Sequence, residues 1–221
     1  MHLVDRIGLT RKITRPRVWA FLERHKTDAL TLEVGAGNNA YRTLFPNRKT
    51  LDIEQRPGVQ IDVVADAHHL PFSDHTFGCV VCIAVLEHVH VPQKVVDEMY
   101  RVLKPGGTLL VSVPFVYPIH DAPADYWRFT KYGLLRLLHN GDIIECNADT
   151  TTLEAIAVLF QRIGFQCETL WWRPFKIFWF LLAKFCAGCS RILTKEYGDI
   201  SQKTPEQGIL ATGYCIAARK R

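Results

Sequence analysis

Between residues 29 and 165, short apolar runs alternate with stretches of helical spacing, and this alternation constrains the fold more than any other feature of the chain. The runs TLEV, KTLDI, VQIDVV, CVVCIAV and TLLVSV are rich in β-branched residues and bounded by Gly, Pro or acids, as strands buried on both faces usually are. Pro92 to Leu103 instead carries Val95, Val96, Met99, Val102 and Leu103 at helical spacing, and Pro92 suits a first turn. The sequence KPGG stops that helix, with Gly106 and Gly107 turning the chain back towards the sheet. Strands alternating with helices need crossover connections, so the pattern predicts an α/β fold with a doubly wound, mostly parallel sheet. Upstream, Arg17 to Lys26 reads as a helix within an N-terminal basic cap, residues 1–28, that covers the sheet edge.

Composition excludes several classes. With 221 residues, 48% hydrophobic and 22% charged, the chain can bury a sizeable single core, and wholesale disorder or a fibrous repeat is ruled out. No uncharged apolar run reaches the roughly 18 residues of a membrane span. The start, MHLVDRIGLTRK, lacks the apolar run of a signal peptide, so a cytoplasmic location with reduced cysteines is expected. Charge is uneven. Residues 1–28 hold seven Lys/Arg against three acids and residues 168–221 nine against four, whereas residues 29–167 hold eleven against fifteen. An acidic centre argues against a nucleic-acid groove through the main domain. Cys79-x2-Cys82 and Cys186-x2-Cys189 have the spacing of half zinc sites, but the first pair falls inside a strand, where alternation turns the two side chains to opposite faces. His68-His69 and His88/His90 supply no ligand frame with them, and no metal is expected.

The first strand runs directly into LEVGAGNN. Gly35 and Gly37 permit a tight turn and let a ligand approach backbone without meeting a Cβ. Asp52 ends the second strand, where a carboxylate can accept both hydroxyls of a ribose bound at the strand ends. Asp66 ends the third strand, beside small Ala67, and can accept from an adenine amino group. A dinucleotide dehydrogenase would use the same ribose carboxylate, so spacing alone leaves the cofactor open. Ala40 in place of a third glycine, and Glu33 beside what would be two phosphates, lean towards a nucleoside carrying positive charge.

The ordered series LEVGAGNN, LDIE, ADAHHLPFSDHTFGCVVCIAVLEHV and EMYRVLKPGGTLLVSVP, over roughly residues 29–140, resembles the small-molecule type of class I S-adenosylmethionine-dependent methyltransferases. The resemblance implies a seven-stranded sheet whose last strand, ATGYCIAARK, is antiparallel, in a domain covering residues 29–221. It implies S-adenosylmethionine as cofactor, with Glu33, Gly35 and Gly37 around its methionine part. Asp52 would take the ribose hydroxyls, Ile53 would lie against the adenine, Asp66 and Ala67 would flank the adenine amino group, and Ile83 and Ala84 would line the sulfonium. Asn38-Asn39 departs from the glycine that many members carry there. LFQRIGFQCETLWW matches a last helix, a Gly164 turn and a sixth strand.

After the fourth strand, IAVLEHV replaces the Asn/Asp-Pro-Pro-aromatic motif of many amino-methylating relatives; Glu87 and His88 can reach the site or orient the next helix. After the fifth strand, PFVYPIHDAPADYWRFT is the densest polar-aromatic stretch, in a loop overlying the strand ends. His120 beside Asp121 offers an imidazole that could take the proton of a substrate hydroxyl, or the pair could pin a lid. Similar loops in bacterial members found with polysaccharide and glycosyl-transfer pathways imply a hydroxylated acceptor, a saccharide or lipid-linked precursor, with a quinone or other lipid as the alternative and a catalytically silent binding partner as a third reading. Near the C-terminus, residues 173–195 read as an amphipathic helical insertion. On a helix, Arg173, Lys176, Lys184, Arg191 and Lys195 form one basic stripe beside a broad apolar face, which suits a peripheral contact with an anionic membrane, a homodimer seam or packing on the domain itself.

Overall fold

The computed structural model describes residues 13–37, 41–55, 57–167, 173–193, 195–199 and 201–221. Two compact units are present. Among the described residues, one comprises Val18–Pro114, Ile119–Asn147 and Tyr214–Arg221; the other comprises Phe115–Pro118 and Ala148–Gly213 with residues 13–17.

In chain order the elements are α1 (Arg15–Arg24), β1 (Thr31–Val34), β2 (Arg48–Asp52), β3 (Val63–Val64), β4 (Phe77–Ile83), a 3-10 turn (Leu86–His88), α2 (Pro92–Val102), β5 (Leu103–Pro114), α3 (Lys131–Leu137), β6 (Gly141–Ala148), α4 (Thr152–Gln166), α5 (Arg173–Gly188), β7 (Tyr197–Asp199), β8 (Thr204–Pro205) and β9 (Gly213–Lys220). Seven strands form one sheet in the order β3-β2-β1-β4-β5-β9-β6, with β9 antiparallel to a parallel majority. β1 pairs in parallel with β2 on one side and β4 on the other, setting Val34 opposite both Leu51 and Cys82. The strand order reverses at that point, opening a crevice at the strand ends where such sheets bind ligands.

The periodicities are realised as expected. Leu32, Val80, Val81, Leu109, Leu110 and Val111 are buried, and α2 buries Val95, Val96, Met99 and Val102 beside β5. Each such side chain stabilises the fold by roughly 1.5–3 kcal/mol relative to exposure. Pro92 occupies the first turn of α2, and Gly106 takes φ +73° where β5 turns. Behind the third strand, Arg101 ties down the chain between Leu70 and Asp74: its guanidinium donates to the Leu70 and Phe72 carbonyls and to the Glu98 and Asp74 carboxylates at 2.7–2.9 Å.

Three elements differ from expectation. The sheet's sixth strand is β6, before α4, and Gly164 lies inside α4 rather than in a turn. A Cβ at Gly164 would sit 3.3–3.4 Å from the Phe180 ring, so the missing side chain admits a close helix contact. The stretch expected as the sixth strand, residues 165–172, begins inside α4, and its residues 168–172 lie outside the described residues. The amphipathic helix ends at Gly188, so Arg191 and Lys195 leave the helix and the five-residue basic stripe is not one helical face. Phe180 and Ala183 of α5 pack inward, with Phe165 edge-on to Phe180 at 5.1 Å and Phe160 beside Trp179 at 5.5 Å. Phe175, Phe178, Leu181 and Phe185 are exposed. Among the described residues no helix is long and apolar enough to cross a membrane.

Candidate active site

A cleft of about 540 Å³ opens at the ends of β1, β2, β3 and β4. Gly35 lines it, at the start of a backbone turn. Gly35 and Gly37 adopt φ +68° and +52°, conformations that cost an L side chain free energy. At Gly35 the space is also taken: an added Cβ would lie 2.2 Å from Val85 Cγ2. The turn is fixed from below, because the Gly35 and Ala36 amides both donate to the Leu51 carbonyl at 2.8 and 3.1 Å. Asp52 completes it, accepting from the Gly37 amide at 3.0 Å and from the Ile53 amide at 2.8 Å. One carboxylate thus holds the loop and borders the cleft.

Gly35, Asp52, Ile53, Asp66, Ala67 and Ala84 line the cleft together, although they come from four separate strand ends. Ile53 is 70% exposed, an apolar wall suited to an aromatic ring. Asp66 accepts from the His68 amide at 2.9 Å and meets His68 Nδ1 at 2.6 Å, and these bonds hold its carboxyl below the usual range. Ala84 has φ +55°, a strained value for alanine, at the exit of β4. Glu33, Gly37 and Ile83 are not among the residues that line the cleft; Gly37 reaches it only through its bond to Asp52. Burial raises the Glu33 carboxyl, partly offset by Arg48, whose Nε donates to it at 2.9 Å. Ile83 packs against the core.

The other wall is the loop after β5. The Tyr126 and Trp127 amides both donate to the Glu87 carbonyl at 2.8 and 3.2 Å, and Trp127 Nε1 donates to the Val89 carbonyl at 2.9 Å. The loop is thereby bolted to the exit of β4. Asp125, whose side chain is 1% exposed, accepts both guanidinium nitrogens of Arg128 at 2.6 and 2.7 Å, which holds its carboxyl far below the carboxylate range. His120 donates its amide to Asp125 at 2.9 Å. The carboxylates beside its ring are those of Asp125, at 3.4 Å, and Glu87, at 3.7 Å. Asp121, the partner expected from adjacency, borders the cleft instead, at φ +52°. The sequence points to Glu87 as able to reach the site, whereas it assigns no role to Asp125 and Arg128. The DYWR spacing, an acid three residues before Arg, is the signal that was available for these two.

Among the described residues, neither cysteine pair belongs to a group of three ligand side chains close enough to share an ion. Cys79 and Cys82 are buried in β4, and burial pushes the Cys79 thiol up to about 12 and the Cys82 thiol higher still. All seven cysteines are free thiols.

Comparison with known proteins agrees with this geometry. The methyltransferase domain family model matches residues 32–111. The ubiquinone/menaquinone biosynthesis C-methyltransferase UbiE of Haemophilus ducreyi is 47% identical over 73 residues, covering 33% of this chain and 28% of that protein. The chain spans well under two thirds of the length of the curated relatives it matches. The structure of an S-adenosylmethionine-dependent methyltransferase, possible histamine N-methyltransferase, from Thermotoga maritima superposes with a TM-score of 0.58 at 14% identity, covering 95% of this chain and 92% of that one. The Burkholderia thailandensis 1,6-didemethyltoxoflavin-N1-methyltransferase, solved with S-adenosylhomocysteine bound, gives 0.56 at 15% identity over 94% and 78%. Residues 32–111 thus match the methyltransferase domain model, and the chain shares the fold of these two solved methyltransferases.

Proposed function

We propose that the chain binds S-adenosylmethionine in the strand-end cleft and transfers its methyl group to an oxygen of a hydroxylated small molecule, a saccharide or lipid-linked precursor. The observation that carries the cofactor is the convergence of Gly35, Asp52, Ile53, Asp66, Ala67 and Ala84 on one cleft. A ribose would lie against Asp52, an adenine between Ile53 and the Asp66–Ala67 pair, and the sulfonium near Ala84. With Arg48 on its carboxylate, Glu33 acts on the methionine end only through the turn that follows it. Methyl transfer is a direct displacement, so alignment of sulfonium and nucleophile supplies most of the rate. His120 and Asp121 are the groups available to take the acceptor's proton.

The hydroxylated acceptor rests on the polar loop after β5, which lies beyond the end of the family match at residue 111. The alternative, a quinone acceptor, is favoured by the activity for which the UbiE relatives are named. The exposed stripe Phe175, Phe178, Leu181 and Phe185 on α5, with Lys176 and Lys184 on the same helix, supports peripheral contact with an anionic bilayer. Cosedimentation with anionic vesicles tests that contact: Phe178→Glu with Leu181→Glu should abolish it, and unchanged binding would rule it out.

Calorimetric titration with S-adenosylhomocysteine and, separately, NAD tests the cofactor. The expected result is binding of the first alone, weakened about 100-fold in Asp52→Ala, roughly the 2–3 kcal/mol of charge-assisted hydrogen bonds. Binding of NAD alone would overturn the reading.

A further inference from the structure

Beside the cleft, three side chains turn acceptor atoms towards one point. Glu87 is fully buried in the 3-10 turn after β4, and neither of its carboxylate oxygens has a hydrogen-bond partner among the described residues. Its Oε1 lies 3.8 Å from His88 Nε2 and 3.7 Å from His120 Nε2, and the imidazole rings meet edge to face at 4.9 Å. These separations are too long for hydrogen bonds. A buried carboxylate left in this way is costly unless something positive completes it.

The outer contacts fix which ring nitrogens face inward. His88 Nδ1 lies 2.5 Å from the Ala124 carbonyl, which can only accept, so Nδ1 carries the hydrogen and Nε2 presents its lone pair. His120 Nδ1 faces the Asp125 carboxylate at 3.4 Å, an acceptor held in place by both guanidinium nitrogens of Arg128, so the same tautomer fits there and Nε2 faces inward. Two lone pairs and a carboxylate oxygen thus surround one position, with no donor among them. Imidazoles anchored at Nδ1 by a carbonyl and a carboxylate are the usual outer shell of metal-binding histidines.

We infer that Glu87, His88 and His120 bind one divalent transition ion of the zinc type. The ligand atoms all lie within 4.8 Å of one another. Atoms at about 2.0–2.1 Å from a shared tetrahedral centre stand roughly 3.3 Å apart; the carboxylate oxygen is within a few tenths of an ångström of that from each imidazole, and small ring rotations bring the two imidazole nitrogens, which lie within 4.8 Å, to the same centre. Three protein ligands leave a fourth position open, as in catalytic rather than structural sites. Mixed imidazole and carboxylate donors suit zinc better than magnesium or calcium. This replaces the expectation of no metal, which considered only the cysteine pairs and histidines adjacent in sequence.

His88 belongs both to this cluster and to the cleft lining, so the open position is matched to the acceptor. This deepens the methyl-transfer reading and rests on it. A bound ion lowers the pKa of a coordinated hydroxyl. His120 is then a ligand, and Asp121, on the cleft wall, takes the hydroxyl proton. The O–CH3 bond forms as the S–CH3 bond breaks, and the bonding pair stays on sulfur to give the neutral thioether.

The test uses the full chain without an affinity tag, stripped with chelator and titrated with Zn²⁺ by calorimetry and with Co²⁺ by visible absorption. Expected are one ion per chain, the intense bands of tetrahedral Co²⁺ and a raised melting temperature with Zn²⁺. Glu87→Gln and His120→Asn should each weaken uptake about 100-fold or more, while His139→Asn, on a surface histidine elsewhere, leaves it intact. Because Glu87 is buried, His120→Asn keeps the test valid if Glu87→Gln fails to fold. Absence of stoichiometric uptake, or uptake unchanged in a His88→Asn/His120→Asn double variant, overturns the site. A parallel titration with S-adenosylhomocysteine separates the two readings: cofactor binding without metal uptake sinks only the ion, and metal uptake without cofactor binding sinks only the methyl-transfer reading.

Discussion

The two walls of the cleft are built by opposite means. The cofactor wall is backbone: a glycine turn and strand ends, with Asp52 holding the amides of Gly37 and Ile53. Its parts are fixed by the sheet itself. The acceptor wall is side chains on a folded-back loop: Arg128 grips Asp125, Asp125 takes the His120 amide, and His88 Nδ1 meets the Ala124 carbonyl beside Glu87. A backbone wall tolerates few substitutions but recognises one ligand shape. A side-chain wall can be rewritten residue by residue, and it suits the part of an enzyme that distinguishes acceptors.

The contrast is most exposed at Gly35. Gly35→Ala should destroy the cofactor wall, because φ +68° and the 2.2 Å approach to Val85 both oppose a methyl group. Loss of measurable S-adenosylhomocysteine binding, with about 2–3 kcal/mol of stability lost in denaturant melts, is expected from overpacking and strain together. Binding within tenfold of wild type would show that the turn can relax. On the other wall, Arg128→Lys removes the bidentate grip on Asp125. Stability should fall by about 1–2 kcal/mol while S-adenosylhomocysteine affinity stays within about twofold. A large affinity loss would mean that the walls are not independent. Arg101→Ala tests the frame behind both, releasing the Leu70 and Phe72 carbonyls and two carboxylates. A cost of about 1.5–2 kcal/mol is expected, since the guanidinium is partly exposed. The smallest effect concerns Glu33, whose carboxyl burial raises above its usual value. A raised carboxyl pKa contributes stability that is complete below the unfolded value and lost as pH rises through the folded one. The stability advantage of wild type over Glu33→Gln should therefore shrink as pH climbs from 4 towards neutrality. An advantage that grows over that range would mean the Arg48 ion pair outweighs burial.

The same contrast explains what could be read from the chain. The cofactor wall is local: Gly35, Asp52 and Asp66 each sit at the end of an apolar run, so strand ends locate them. The acceptor wall is assembled across long separations, as His88 and Ala124 show, and adjacency misled: His120 faces Asp125 and Glu87 rather than Asp121. Glu87 was visible in IAVLEHV, but its burial and its two histidines arise only when the loop folds back. In the sheet, β6 was missed because GDIIECNA is polar, with Ile143 and Ile144 exposed, and lacks the apolar continuity of the other strands. The α4 amino terminus was legible and overlooked: Thr151 and Glu154 form a reciprocal capping box, with Glu154 also bound to Arg17.

The position of β9 has a consequence for the order of assembly. β5 and β6 are neighbours of β9 but not of each other, and β9 follows both in the chain. β6 therefore has no sheet partner until residues 213–220 have been threaded between the two. The sheet from β3 to β5 can close early on short-range crossovers, while its far edge waits for a late, long-range insertion. Folding should thus proceed in two stages, with the cofactor crevice shaped in the first and the β6 edge strand exposed to wrong partners until the second is complete.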